Sequence, residues 1–234
     1  MSSNRDQQAY DRGVSQFSPE GRIYQVEYAR EAVENGAPTV GVRTSEGVVL
    51  AALTTPTSPL ALSTTKLHRV DESVGAATTG YVPDGRRLVD DLRVGTQQER
   101  LRYGEEPDVE AVSKQVADKL QESTQVGGRR PFGSSLIIGG VDETGPRLFA
   151  VEPGGTPREW MAVADGNRRD EYLRFFEDHY EQGLTLEEGM ELAVEAFSKV
   201  SEEDVNSQTV NLATVSTETE QFELRDDVEV QTGD

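Results

Sequence analysis

Residues 39–53 constrain the fold more than any other stretch. Thr39-Val-Gly-Val-Arg43 and Val48-Val-Leu-Ala-Ala-Leu53 flank a Ser45-Glu-Gly47 turn. β-Branched residues recur on both arms, and two such runs separated by a short turn read as a β-hairpin. Lys66–Val70 and Gly75–Thr79 read as two further short strands. The period then becomes helical, with Leu88, Leu92 and Leu101 in one segment and Val109, Val112, Val116 and Leu120 in the next. Tyr103-Gly-Glu-Glu-Pro107 separates them as a helix stop. Strands return at Ser134–Val141 and Arg147–Glu152, joined by Asp142-Glu-Thr-Gly145, and a third follows Pro153-Gly-Gly155. Two helices are expected over 167–179, with Tyr172, Phe175 and Phe176, and over 185–200, with Leu186, Met190, Leu192 and Phe197. Strands at Thr209–Val215 and Gln221–Leu224 close the pattern. Strands, a helix pair, strands, a second helix pair and final strands predict an α+β fold, a four-layer αββα sandwich with one helix pair on each outer face.

Ahead of the hairpin, residues 1–17 are polar and lack an apolar period, so they read as a mobile tail. Ser18-Pro19-Glu20 is a helix-start signal, because a hydroxyl caps free N–H groups and proline fixes the first helical φ. The helix it opens carries Ile23, Val26, Ala29 or Arg30, and Val33 near one face and stops at Asn35-Gly36. It is an addition to the sheet fold, and its apolar face must pack beyond the strand that follows. Gly139-Gly140, on a strand, permits close backbone approach. The expected division is a tail over 1–17, one domain over 18–225 and an acidic tail over 226–234.

Forty-three acidic against 23 basic residues give a net charge of −20, and Lys66, Lys114, Lys119 and Lys199 are the only lysines. Such a surface repels nucleic acid. It suits a cytoplasm of very high salt, where self-repulsion is screened to about 3 Å at 1 M, and predicts a halophilic host. No cysteine is present, which removes disulfides, thiolate nucleophiles and zinc–thiolate sites together. The longest apolar run, Val48–Leu53, and shorter ones such as Leu136–Ile138 fall far short of the ~20 residues of a membrane span. Met-Ser-Ser-Asn-Arg-Asp-Gln-Gln carries no apolar signal core, so the chain is expected to remain in the cytoplasm, away from membranes.

Familiar chemistry is missing from the sequence. His68 and His179 lie in different segments without metal-ligand spacing, and no G-x-S-x-G elbow, phosphate loop or dinucleotide fingerprint occurs. No metal and no cofactor are expected. Thr39 would become an N-terminal nucleophile only by cleavage after Pro38, and Ser2 begins a polar tail with no strand behind it.

The run from Tyr10-Asp-Arg through Phe17-Ser-Pro-Glu-Gly-Arg-Ile-Tyr-Gln-Val-Glu-Tyr-Ala-Arg-Glu-Ala-Val33 resembles the N-terminal extension of proteasome α-type subunits, and the likeness covers about residues 8–225. The resemblance implies the N-terminal-nucleophile hydrolase fold, in which catalytic relatives expose a threonine at the head of the first strand. Here Ala37 holds that place behind a 36-residue extension, and Leu53 falls where catalytic subunits carry an acidic partner. The implied protein is a noncatalytic member of a seven-membered α ring that stacks on catalytic β-type subunits. It would control admission of unfolded protein substrates and dock a proteasome-activating AAA ATPase.

The resemblance also implies roles for residues. Tyr10, Asp11 and Arg12 match the gate-tail motif, and Tyr10, Asp11, Pro19 and Tyr28 match the cluster that holds tails open. Lys66 matches the pocket lysine that receives the ATPase's C-terminal carboxylate, with Glu27 and Gly80 at positions resembling the rest of that pocket. Val126-Gly127-Gly128-Arg129-Arg130-Pro131-Phe132-Gly133 resembles the loop lining the axial opening and the strand behind it. Departures are Val126, where relatives often have tyrosine, the unusual Arg129, and Leu53-Thr-Thr-Pro-Thr-Ser-Pro59, whose two prolines suggest a rigid loop. Two other readings stay open: a threonine protease or amidohydrolase processed near Thr39, and an assembly protein without a gate.

Overall fold

A computed structural model describes residues 17–18, 21–54, 58, 60, 65–104, 106, 108–125, 129–202 and 205–225. Helix α1 (Tyr24–Glu34) precedes the hairpin β1 (Thr39–Arg43) and β2 (Gly47–Leu53). Strands β3 (Leu67–Arg69) and β4 (Val74–Gly80) lead into helices α2 (Val82–Tyr103) and α3 (Val109–Gln125). Strands β5 (Ser134–Asp142), β6 (Gly145–Val151), β7 (Pro157–Glu159) and β8 (Ala162–Asp165) follow. Helices α4 (Arg169–His179) and α5 (Leu186–Val200) and strands β9 (Val210–Ser216) and β10 (Phe222–Arg225) complete the order.

The strands form two five-stranded antiparallel sheets, ordered β10-β9-β2-β1-β8 and β3-β4-β5-β6-β7. Alternation along β2 shows how the layers arise, because successive side chains point to opposite faces. Val48, Leu50 and Ala52 join Ile137 and Leu148 between the sheets, whereas Val49, Ala51 and Leu53 join Tyr172, Phe176 and Phe197 under α4 and α5. The second sheet repeats the pattern. Ile137 faces the first sheet, while Leu136 and Ile138 pack against Leu88, Leu92, Val116 and Leu120 of α2 and α3. The four-layer αββα sandwich is therefore present, with α1 added ahead of it. Gly139 lets the sheets meet: a Cβ there would stand 2.6 Å from Val48 Cγ1.

The hairpin, the helix stops and the late helices lie where the sequence puts them. Three expectations change. Helix α1 starts at Tyr24 with no side-chain cap. Ser18 instead serves a preceding turn, its hydroxyl accepting from Arg22 N at 3.2 Å and its own N–H donating to Arg22 O at 2.7 Å. Leu101 is 88% exposed rather than part of the buried face of α2. The strand expected after Gly155 is two strands, β7 in one sheet and β8 in the other, parted by Trp160 and Met161. No described helix is long and apolar enough to cross a membrane.

Candidate functional site

Of the described candidate residues, the head of β1 brings together Lys66 and Gly80. Lys66, half-buried just before β3, donates its ammonium to the carbonyl of Ala37. Its own carbonyl accepts from Thr78 N at 2.9 Å, which ties it to β4. Gly80 ends β4 with φ +99°, a conformation that favours glycine. A Cβ on Gly36 would come within 2.8 Å of Gly80 N, so Gly36, Ala37, Lys66 and Gly80 share one end of the sandwich. Glu27 is not held to Lys66. It lies seven residues before the end of α1, about 10 Å up the axis, and pairs with Arg30 at 3.2 Å. Tyr28 is 42% exposed on the same helix.

Behind Ala37 lies a buried polar quartet. Thr39 pairs with Asp165 across β1 and β8, and Thr79 pairs with Ser135 across β4 and β5. The Thr39 and Thr79 hydroxyls bond across the two sheets at 2.5 Å. Burial pushes the Asp165 carboxyl up to about 6, against the neighbouring Ser135 hydroxyl and Arg169 guanidinium, which pull it down, while Glu152 pushes it up. Ser135 stands beside the carboxylate without a well-aligned hydrogen bond, and Asp165 Oδ2 is also buried without a partner. In the intact chain Thr39 is fully buried in mid-backbone, with its hydroxyl committed to Thr79.

Of the residues expected to line an axial opening, Arg129 and Arg130 are described and both are exposed. Arg130 is not a free cation: its guanidinium grips Asp84 with Nη1 at 2.5 Å from Oδ2 and Nη2 at 2.9 Å from Oδ1. Those hydrogen bonds raise its already high pKa. Tyr10, Asp11, Arg12, Pro19, Val126, Gly127 and Gly128 lie outside the described residues. The histidines have packing environments. His68 Nε2 is 3.3 Å from Thr78 Oγ1, and burial, then Arg93, hold it below its usual range against the pull of Asp90. His179 stacks on Phe175 with ring centroids 4.2 Å apart.

Sequence reading missed Asp84, Thr79 and Asp165. Pro83 followed by an acid is a helix-start pattern that would mark Asp84 as an N-terminal carboxylate, but nothing local points to Arg130. Thr79 and Asp165 meet their neighbours only through sheet packing.

Comparison with known proteins places these features in context. The family model described as proteasome subunit matches residues 33–215, and the model of the N-terminal signature of A-type proteasome subunits matches residues 10–32. The chain is 55% identical over 216 residues to the proteasome alpha 2 subunit of Haloferax volcanii, covering 92% of this chain and 86% of that one. The proteasome alpha 1 subunit of the same organism is 50% identical over 230 residues, with 97% and 91% covered. The proteasome alpha 2 subunit of Haloarcula marismortui is 49% identical over 220 residues, with 93% and 90% covered.

Proposed function

The chain belongs to the proteasome subunit family, with α subunits of halophilic archaea as its relatives, and on that premise we propose that it is a noncatalytic α-ring subunit that gates the core particle and docks a regulatory ATPase. The head of β1 carries the noncatalytic part of this reading. A threonine nucleophile of this kind needs a free α-amine beside its hydroxyl. Here Ala37 occupies the strand head, and Thr39 is a mid-chain residue whose hydroxyl is tied to Thr79.

The gating part rests on the signature match over residues 10–32, which contains Tyr10, Asp11, Arg12, Pro19 and Tyr28. A polar tail of this length can switch between packings a few kcal/mol apart, with Pro19 at the hinge. The docking part rests on Lys66 and Gly80 sharing one end of the sandwich, and Glu27 joins them through the family resemblance alone. Seven copies would stack on catalytic β-type subunits in the cytoplasm and pass unfolded protein inward.

Co-purification tests the assignment. A C-terminally tagged chain should bring down a sevenfold ring together with a threonine-active partner, and the tagged chain itself should resist threonine-directed inhibitors. Covalent labelling at Thr39 of a chain trimmed to that residue would replace this reading with a protease subunit. Deleting residues 2–12 should raise unstimulated peptide cleavage, and a particle indifferent to the deletion would have no gate in this tail.

A further inference from the structure

Asp84 has no role in the assignments above, yet three donors converge on its carboxylate. Arg130 supplies Nη1 at 2.5 Å and Nη2 at 2.9 Å, and the backbone N–H of Gly133 supplies a third at 2.9 Å. The side chain is only 11% exposed. It stands in the first turn of α2, where unsatisfied N–H groups and the helix dipole favour negative charge. The two segments are tied again beside this contact: Tyr81 N–H donates to the Gly133 carbonyl at 2.7 Å, and the Arg130 guanidinium lies 5.3 Å from the Tyr81 ring centroid.

Two features combine in this ion pair, a two-point hold of the kind also seen at Arg147–Glu159 and Arg168–Glu171 and a shielded carboxylate of the kind also seen at Asp71 and Asp165. A guanidinium held by both terminal nitrogens is fixed in plane and direction, which a single contact cannot do. The carboxylate end is also shielded, so salt that screens exposed charges to about 3 Å at 1 M weakens it less. Arg129, next along the chain, is exposed and has no ion-pair partner among the described residues.

We infer that Asp84 is a positioning residue that fixes Arg130 as a strut and so sets where the Arg129–Arg130 corner stands at the axial opening. This rests on the reading that the stretch lines that opening. Of the two arginines, Arg129 is then the side chain presented to passing polypeptide, and Arg130 acts through its grip on the α2 turn.

The test uses the assembled particle without ATPase and compares degradation of unfolded casein with cleavage of a short fluorogenic peptide. Asp84→Asn should raise the casein-to-peptide ratio about fivefold, the lower end of typical coupling between sites. Arg130→Ala should do the same, and the double variant should go no further than either single one. Arg130→Lys keeps the charge but loses the fork, so it should follow Arg130→Ala and serves as the test if Asp84→Asn does not assemble. Ring mass and melting temperature are followed in parallel. A variant set that lowers the melting temperature but leaves the ratio at the wild-type value would overturn the inference, as would independent, multiplying effects. If Arg130→Ala shifts the ratio and Asp84→Asn does not, the clamp has no consequence. If neither arginine matters while deletion of residues 2–12 still shifts the ratio, the stretch is misplaced and the inference falls with that assignment.

Discussion

The hydroxyls of Thr39 and Thr79 stand 2.5 Å apart in the interior and join two sheets that meet largely through apolar side chains. Removing one hydroxyl leaves the other buried and unpaired. Thr79→Val should therefore cost about 1–3 kcal/mol, whereas Thr39→Val with Thr79→Val removes both polar groups together and should cost less than the sum of the singles. Equilibrium denaturation of the four variants of the cycle, in high salt, checks this. Additive losses would show that the hydroxyls find separate partners.

Gly139 and Val48 give a second inter-sheet test. Gly139→Ala would place a methyl group 2.6 Å from Val48 Cγ1, between strands whose backbones are pinned by their own ladders. Overpacking of this kind costs about 1–3 kcal/mol. Val48→Ala in the same chain should return part of that loss even though it is destabilising by itself. A double variant less stable than Gly139→Ala alone would place the strain elsewhere.

These two contacts mark the boundary of what the sequence makes legible. The hairpin over 39–53 and the helix pairs follow from local periodicity, because each β-branched or leucine position faces a layer set by its own neighbours. Leu101 fails the same rule for a geometric reason: nine residues beyond Leu92 correspond to about 180° around a 3.6-residue helix, so it lands on the outer side of α2. Ser18 has the chemistry of a cap, but Arg22 takes its hydroxyl in a turn, and the helix waits until Tyr24. At the candidate site, Ala37, Lys66 and Gly80 are legible only through family resemblance. The Asp84–Arg130 pair spans 46 positions and the Thr39–Thr79 pair 40, separations at which one-dimensional spacing carries no signal.

Asp165 supplies a pH test with a definite sign. Burial raises its carboxyl from 3.8 to about 6, so the folded chain holds a proton that the unfolded chain releases. Stability from this group is fully present below about pH 4 and falls as pH rises toward 6, by about 3 kcal/mol in all for a fully buried group. The groups facing it are Ser135 from β5, Arg169 from α4 and Glu152 beyond β6. Asp165→Asn should remove that decline, so the difference in stability between variant and parent should grow in the variant's favour from pH 4 to 6 and then level off. Carboxylates held low, such as Glu188 by the Thr185 backbone N–H and hydroxyl, act in the opposite direction. They occur in both proteins and cancel in the difference. A constant difference across that window would mean that Asp165 is not the titrating group.

Lys66 carries the functional prediction. Its ammonium bonds the Ala37 carbonyl just ahead of β1, so a carboxylate docking there meets a cation already held in register by the strand head. An exposed ion pair is worth only ~0–1 kcal/mol, and screening to about 3 Å at 1 M reduces it further. Under the proposed docking role, affinity for an ATPase would come mainly from burial of an aromatic tail residue and from several tails engaging at once, with Lys66 setting alignment. Lys66→Ala should abolish ATPase-stimulated protein degradation while the assembled particle still cleaves small peptides. Parallel assays of the two activities, with native mass measurement of the particle, decide the matter. Equal loss of both would assign Lys66 to support of the β1 head alone, because a weakened strand junction would impair assembly and every activity that depends on it.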